Sequence, residues 1–270
     1  MNSEKNGSLL IIGCGWVGKK LGQQLAKKGT IVYGTTRSSS NFSELSELDI
    51  KPVKLELPAP SLSKIRLPET DSVLISISPG RGDDRSEYPK LMGQLAQVLA
   101  QRNTQVIMYS STSVYGNAKG EVKETDATSD PDSDNAIVAA EGELRKYVSD
   151  AVILRLAGLY GADRHPAKYM AGRKDISNGD APVNLVHRED VIKATEMVIE
   201  KDIHNEIFNI SAPIHPAKKE IYTTITERLE MKKPKFLNGG GDGKVVSSDK
   251  VVELGFEFLH EEPLDFKKLS

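Results

Sequence analysis

The chain has 270 residues, enough for one large α/β domain or two modest ones. Folding at that size buries roughly 70–75% of the unfolded surface, so neither disulfides nor metal staples are required. Its 36 Lys and Arg against 38 Asp and Glu give a net charge of −2 and a pI near 6.3, which argues against a dedicated nucleic-acid binder. The one cysteine precludes an internal disulfide and suits a reducing cytosol. The opening MNSEKNGS lacks the basic and apolar regions of a secretion signal, and no apolar run approaches the ~18 residues of a membrane span. A cytoplasmic protein with no membrane or nucleic-acid partner is expected.

Leu9-Leu10-Ile11-Ile12 is a short apolar run that reads as a buried parallel strand. It leads into Gly13-Cys14-Gly15-Trp16-Val17-Gly18, after which Val17, Leu21 and Leu25 recur four apart on one helical face until Gly29 closes the helix. Ile31-Val32-Tyr33 is the next strand and ends in Gly34-Thr35-Thr36-Arg37, completing a βαβ unit. Val53–Leu57 and Val73–Ile77 read as the third and fourth strands. Leu91, Leu95 and Leu99 mark a helix between Glu87 and Asn103, and Val106–Tyr109 is the fifth strand. A polar loop, Gly116–Asp134, precedes a helix near Ala136–Val148, and Val152–Leu156 is the sixth strand.

This alternation predicts an α/β fold built on a doubly wound parallel sheet of the Rossmann type. Beyond Gly161 the pattern loosens. Val183–Val186 and Ile207–Ile210 are expected as short strands around a helix N-capped by Asp190, and Ile221, Ile225 and Leu229 mark a further helix. Gly239–Gly243 reads as a turn or flexible loop. With no clean linker, the expectation is a single domain over residues 1–270, in which segments near 161–182 and 211–270 form a small interwoven substrate lobe.

Gly13-x-Gly15-x-x-Gly18 gains meaning from the strand before it, the helix after it and the second strand beyond. Gly13 permits the tight turn, Gly15 lets the backbone approach a pyrophosphate, and Gly18 lets helix pack on strand. Cys14, Trp16 and Val17 complete the turn, whose N–H groups face the diphosphate at the positive end of the helix. The alternative is a glycine-rich turn without a ligand. A P-loop is excluded because Lys20 stands where Ser or Thr would ligate magnesium.

NAD binders usually carry an acid at the end of the second strand, whereas this chain has Thr35-Thr36-Arg37-Ser38. Arg37, 19 residues past Gly18, is placed to accept a 2′-phosphate, with Thr36 or Ser38 adding a hydroxyl. A charge-assisted hydrogen bond of about 1.5–3 kcal/mol would favour NADP about ten- to a hundredfold, with NAD as the alternative cofactor. A solvated surface arginine is the competing interpretation. Cys14 reads as a small buried filler rather than a redox switch.

Four ordered segments resemble the extended short-chain dehydrogenases/reductases, the sugar-nucleotide epimerase/dehydratase-like proteins. They are Leu9–Gly18, Tyr109-Ser110-Ser111-Thr112-Ser113-Val114-Tyr115-Gly116, Ile153–Gly161 and Val186-His187-Arg188-Glu189-Asp190. Asp249–Phe256 also resembles the last helix and turn of that family. The resemblance implies a catalytic serine at the end of the fifth strand, here Ser111 with Ser113 nearby, and a Tyr-x-x-x-Lys pair on the following helix. That helix reads Asn135-Ala136-Ile137-Val138-Ala139-Ala140-Glu141-Gly142-Glu143-Leu144 and has no such pair. Tyr115-x-x-x-Lys119 matches the letters but straddles a glycine turn. Tyr115 is therefore either a displaced catalytic group or a cleft-lining part of a Val-Tyr-Gly strand ending.

The chain thus resembles atypical members without the active-site tyrosine. By position in the family, Ser78, Pro79 and Ser110 are expected beside the cofactor, and Ser113, Tyr160, Arg164 and His187 beside the substrate. Arg155 is expected to pair with a carboxylate of the neighbouring helix. The scattered histidines show no metal-ligand spacing. Two functions stay open: an NADP-binding oxidoreductase or epimerase-like enzyme acting on a small carbonyl or sugar-nucleotide substrate, or a non-catalytic dinucleotide sensor or scaffold. A homodimer is expected only by analogy with the family.

Overall fold

The computed structural model describes residues 7–80, 82–161 and 164–265. The strands are β1 (Ser8–Ile12), β2 (Ile31–Thr36), β3 (Lys51–Lys54), β4 (Ser72–Ile75), β5 (Gln105–Ser111), β6 (Gly120–Val122), β7 (Val152–Leu156), β8 (Gly158–Tyr160), β9 (Leu185–His187), β10 (Ile207–Ile210) and β11 (Lys244–Val246). The helices are α1 (Trp16–Lys27), α2 (Phe42–Glu47), α3 (Tyr88–Leu99), α4 (Ala136–Tyr147), α5 (Arg188–Glu200), α6 (Lys218–Arg228) and α7 (Asp249–Glu253). Seven strands form the central parallel sheet in the order β10-β7-β5-β4-β1-β2-β3, the expected doubly wound α/β architecture.

The chain divides into two compact units, one of residues 1–110, 128–154 and 198–207, the other of 111–127, 155–197 and 208–270. In the first, β1 lies between β2 and β4, parallel to both, because its residues Leu9 to Ile12 are apolar on both faces and at most 1% exposed. The chain leaves β1 toward one side and returns on the other, so the carboxyl ends of β1 and β4 flank a topological switch point. On α3, Leu91, Met92, Leu95, Ala96 and Leu99 are buried. On α4 the stretch from Ile137 to Gly142, together with Leu144, is buried as well.

The second unit has its own apolar cluster: Tyr160, Ala167, Leu185, Ile221, Tyr222 and Ile225. Several expectations change here. The loop 116–134 contains β6, which pairs in parallel with β11, a strand the sequence pattern does not reveal. β9 begins at Leu185 rather than Val183 and pairs with β8. Asp190 does not cap α5, which starts at Arg188. Its carboxylate is fully buried and accepts the main-chain N–H groups of Leu259 (2.6 Å) and His260 (3.2 Å).

Arg155, also fully buried, donates to the carbonyls of Glu124 (2.9 Å) and Ala127 (2.7 Å) and to the Tyr115 hydroxyl (3.1 Å). Main-chain dipoles and a phenol thus share in holding its charge.

His165 is 1% exposed, and its Nδ1 accepts the Ala167 N–H (3.1 Å). Burial holds its pKa down to about 4, with the Lys168 charge adding to the shift. An unfolded histidine takes up its proton near pH 6.5, so its contribution is complete above that pH and is lost as the pH falls toward 4. His165→Asn should therefore flatten the decline of unfolding free energy between about pH 6.5 and 4 by up to ~1.4 kcal/mol per pH unit. Urea melts across that range, compared with the wild-type chain, measure the difference; identical slopes would refute the assignment.

Candidate functional site

The turn after β1 is fixed from the end of β2. The Gly13 N–H donates to Thr35 Oγ1 (2.9 Å) and the Cys14 N–H to the Thr35 carbonyl (3.2 Å). Gly13 has φ +85°, and a Cβ there would stand 2.9 Å from Ile77 Cγ1 and 3.0 Å from the Ser76 main chain. A Cβ on Gly18 would lie 2.9 Å from Ile11 Cγ2, so this glycine lets α1 close on β1. At Gly15, by contrast, the nearest atom to an added Cβ is 3.9 Å away, and the residue is exposed. The backbone is thus tight where it meets the protein and open where it meets the cleft.

α1 receives no side-chain cap and has no acidic residue in its first turn. Its twelve residues therefore direct a positive helix end at the turn with no built-in anion to neutralise it. Gly13, Cys14, Gly15, Thr35, Thr36, Arg37, Leu55, Leu57, Ser76, Ile77, Ser78 and Leu91 line a cleft of about 320 Å³ here. An adjoining hollow of about 240 Å³ shares Arg37, Leu57, Ile77, Ser78 and Leu91 and adds Pro79, Gly80 and Tyr88.

Sequence reasoning missed the apolar wall formed by Leu55, Leu57, Ile77 and Leu91. Apolar residues at strand ends and on helices look alike whether they face the core or a cleft.

Arg37 is exposed on the cleft, at the head of a hydroxyl-rich bend. Ser38 Oγ accepts the Ser40 N–H (3.2 Å), and Asn41 Nδ2 donates to Thr36 Oγ1 (3.1 Å). The nearby acid Glu44 is engaged by Lys19 at 2.5 Å. Trp16 and Val17 begin α1, Trp16 half-buried and Val17 buried.

The remaining expected residues fall in different settings. Ser110 is buried and donates to Oε1 of Glu141, a fully buried carboxylate whose Oε2 accepts from Ser129 (2.9 Å). On the same helix, Ile137, Val138, Ala139, Ala140 and Leu144 are buried with this glutamate. Ser111 is half-buried, and its Oγ accepts the Ser113 N–H (3.1 Å); Ser113 itself is exposed.

Tyr115 is buried within a hydrogen-bonded chain, donating to Asn209 Oδ1 (2.7 Å) and accepting from Arg155. Burial raises its pKa, opposite to the need of a general base. Lys119, in the Tyr115-x-x-x-Lys119 segment, is exposed and pairs with Asp242. Tyr160 is 2% exposed, a core side chain of the second unit with its ring against His165 and His187. Arg164 is exposed and His187 half-buried.

Cys14 is 7% exposed, wedged so that a Cβ on Gly34 would lie 3.0 Å from its sulfur, and burial pushes its thiol up to about 12. The native thiol should react with a disulfide reagent at pH 8 at least about tenfold more slowly than the same thiol in the unfolded chain. A native rate equal to that of free cysteine would remove its role as a filler.

The sequence of residues 9–211 matches the NAD dependent epimerase/dehydratase family. Protein YeeZ of Escherichia coli (strain K12) is 36% identical, with 94% of this chain and 96% of that one covered. UDP-glucuronic acid 4-epimerase from Bacillus cereus, solved in complex with NAD, superposes with a TM-score of 0.76 at 22% identity over 96% of this chain and 94% of its own. MoeE5, solved in complex with UDP-glucuronic acid and NAD, gives 0.74 at 19% identity over 96% of each chain. The structural likenesses speak to fold alone, and among the described residues no helix is long and apolar enough to cross a membrane. A glycine turn pinned between β1 and β2, a cleft at the switch point and a sequence match over most of its length agree, and the chain belongs to the NAD dependent epimerase/dehydratase family.

Proposed function

We propose that this protein holds NADP across its opening turn and uses it to transform a small carbonyl or sugar-nucleotide substrate. The observation that carries this reading is the cleft itself, with unneutralised helix-end charge at its floor and an arginine at its rim. The residues fit such a group in three parts. The main chain from Gly13 to Gly18 offers N–H donors to a diphosphate. Leu55, Leu57, Ile77 and Leu91 offer an apolar slot for a flat base. Arg37, with the hydroxyls of Thr36 and Ser38, suits a doubly charged 2′-phosphate and leaves no acid at the β2 end to favour bare ribose hydroxyls.

The dinucleotide, when bound, supplies a nicotinamide that can accept or return a hydride. Ser111 is the side chain we assign to hydrogen-bond the substrate oxygen. Its own oxygen is oriented by the Ser113 N–H, which leaves the hydroxyl proton for donation. Tyr115 serves as a strut to Arg155 and Asn209 rather than as an acid or base. That solved relatives of this fold carry a UDP-sugar together with NAD supports the substrate class.

Calorimetry should show NADPH binding about ten- to a hundredfold more tightly than NADH, and Arg37→Ala should erase that margin while leaving NADH affinity unchanged. Equal affinities in the wild-type chain would remove the NADP preference, and no binding of either would remove the proposal. In a panel of UDP-sugars and small ketones followed by nicotinamide absorbance, Ser111→Ala should lower kcat/KM about a hundredfold. Binding without turnover across the panel would favour a sensor.

A further inference from the structure

Three side chains outside the dinucleotide cleft converge in the second unit although 71 or more residues separate His260 from the other two. β9 ends on His187 and α5 begins at the next residue, while the segment after α7 returns His260 to the same place. The two imidazole rings lie 3.7 Å apart between centroids, tilted by 40°. Glu189 completes the group, its Oε2 2.8 Å from His260 Nε2 and 3.7 Å from His187 Nδ1. One ligand-capable atom from each residue lies within 4.8 Å of the others.

Each member is held from behind. The buried Asp190 carboxylate anchors the main chain of Leu259 and His260. The Glu189 N–H donates to His187 Nδ1 (3.3 Å), so that nitrogen carries a lone pair and the ring proton resides on Nε2. The ring of Tyr160 meets His187 edge-on at 5.0 Å between centroids. Two imidazole nitrogens and one carboxylate oxygen are the donors of a borderline transition ion; magnesium and calcium require oxygen. Bonds of about 2.0–2.2 Å in a tetrahedral site would place ligand atoms roughly 3.4 Å apart. The partly exposed side chains of Glu189 and His260 can close the remaining distance by rotation.

We infer that His187, Glu189 and His260 form a binding site for a divalent transition ion of the zinc class, with its fourth position open to water, fastening the C-terminal segment to the β9–α5 junction. The ion would take the lone pair that the Glu189 N–H now shares. Without it, Glu189 and His260 hold one another through a hydrogen bond of 2.8 Å beside the tilted His187 ring.

Chelator-treated full-length protein titrated with Zn²⁺ in a calorimeter should bind one equivalent with Kd below about 100 µM, and Co²⁺ should develop visible ligand-field bands at the same stoichiometry. Zn²⁺ should also raise the melting temperature by mass action. His260→Ala and Glu189→Gln should each weaken Zn²⁺ at least tenfold. His204→Ala, which alters the exposed His204 beside Asp150 and Asp202, should leave the equivalent intact. Absence of saturable Zn²⁺ binding in the wild-type chain overturns the site, and so does binding that survives His260→Ala or vanishes in His204→Ala. Far-UV circular dichroism verifies that each variant is folded; should His260→Ala not fold, the wild-type titration together with Glu189→Gln decides.

Discussion

Two hydrogen bonds from the first glycine turn to Thr35 set the geometry on which the dinucleotide cleft depends. Neighbouring parallel strands already place β1 beside β2, but strand pairing ends before the turn begins. By accepting the Gly13 N–H on its hydroxyl and the Cys14 N–H on its carbonyl, Thr35 extends the link one step further. The turn can then leave Gly15 exposed while Cys14 fills the space between α1 and β2. A buried hydroxyl therefore holds the cleft-facing backbone in place.

The second unit solves a different problem, that of burying charge. Arg155 donates to two carbonyls and a phenol, and that phenol passes the chain on to Asn209, whose own N–H donates to Glu124 (2.7 Å). Such connected networks are worth more than isolated pairs because each member satisfies a neighbour that would otherwise be buried unmet. The network also explains why Tyr115, although it ends the family-like Val-Tyr-Gly segment, is poorly suited to proton transfer. Its hydroxyl is committed on both sides.

Most of the sheet was legible because each long strand is a run of apolar residues in a chain where helices show a clear four-residue spacing. β7 and β10 begin and end at the residues expected from the sequence, and β1 is longer by one. β6 and β11 were not legible: three residues such as Gly120-Glu121-Val122 carry no periodicity, and their pairing joins positions more than 120 apart. The glycine turn and the place of Arg37 at the end of β2, on the cleft, were readable as local patterns. Asp190 was misread for the converse reason. A carboxylate at a helix start has the local form of a cap, and only the distant Leu259 and His260 reveal the partner it holds. The His187–Glu189–His260 group is invisible for the same reason, since no short spacing contains it.

The Asp190 clamp bears on the order in which this protein can be completed. The donors to that buried carboxylate lie 69 and 70 positions further along the chain, so a chain emerging from the ribosome holds an unmet negative group until they have been made. A chain cut before Leu259 would lack both donors and leave the β9–α5 junction without its clamp.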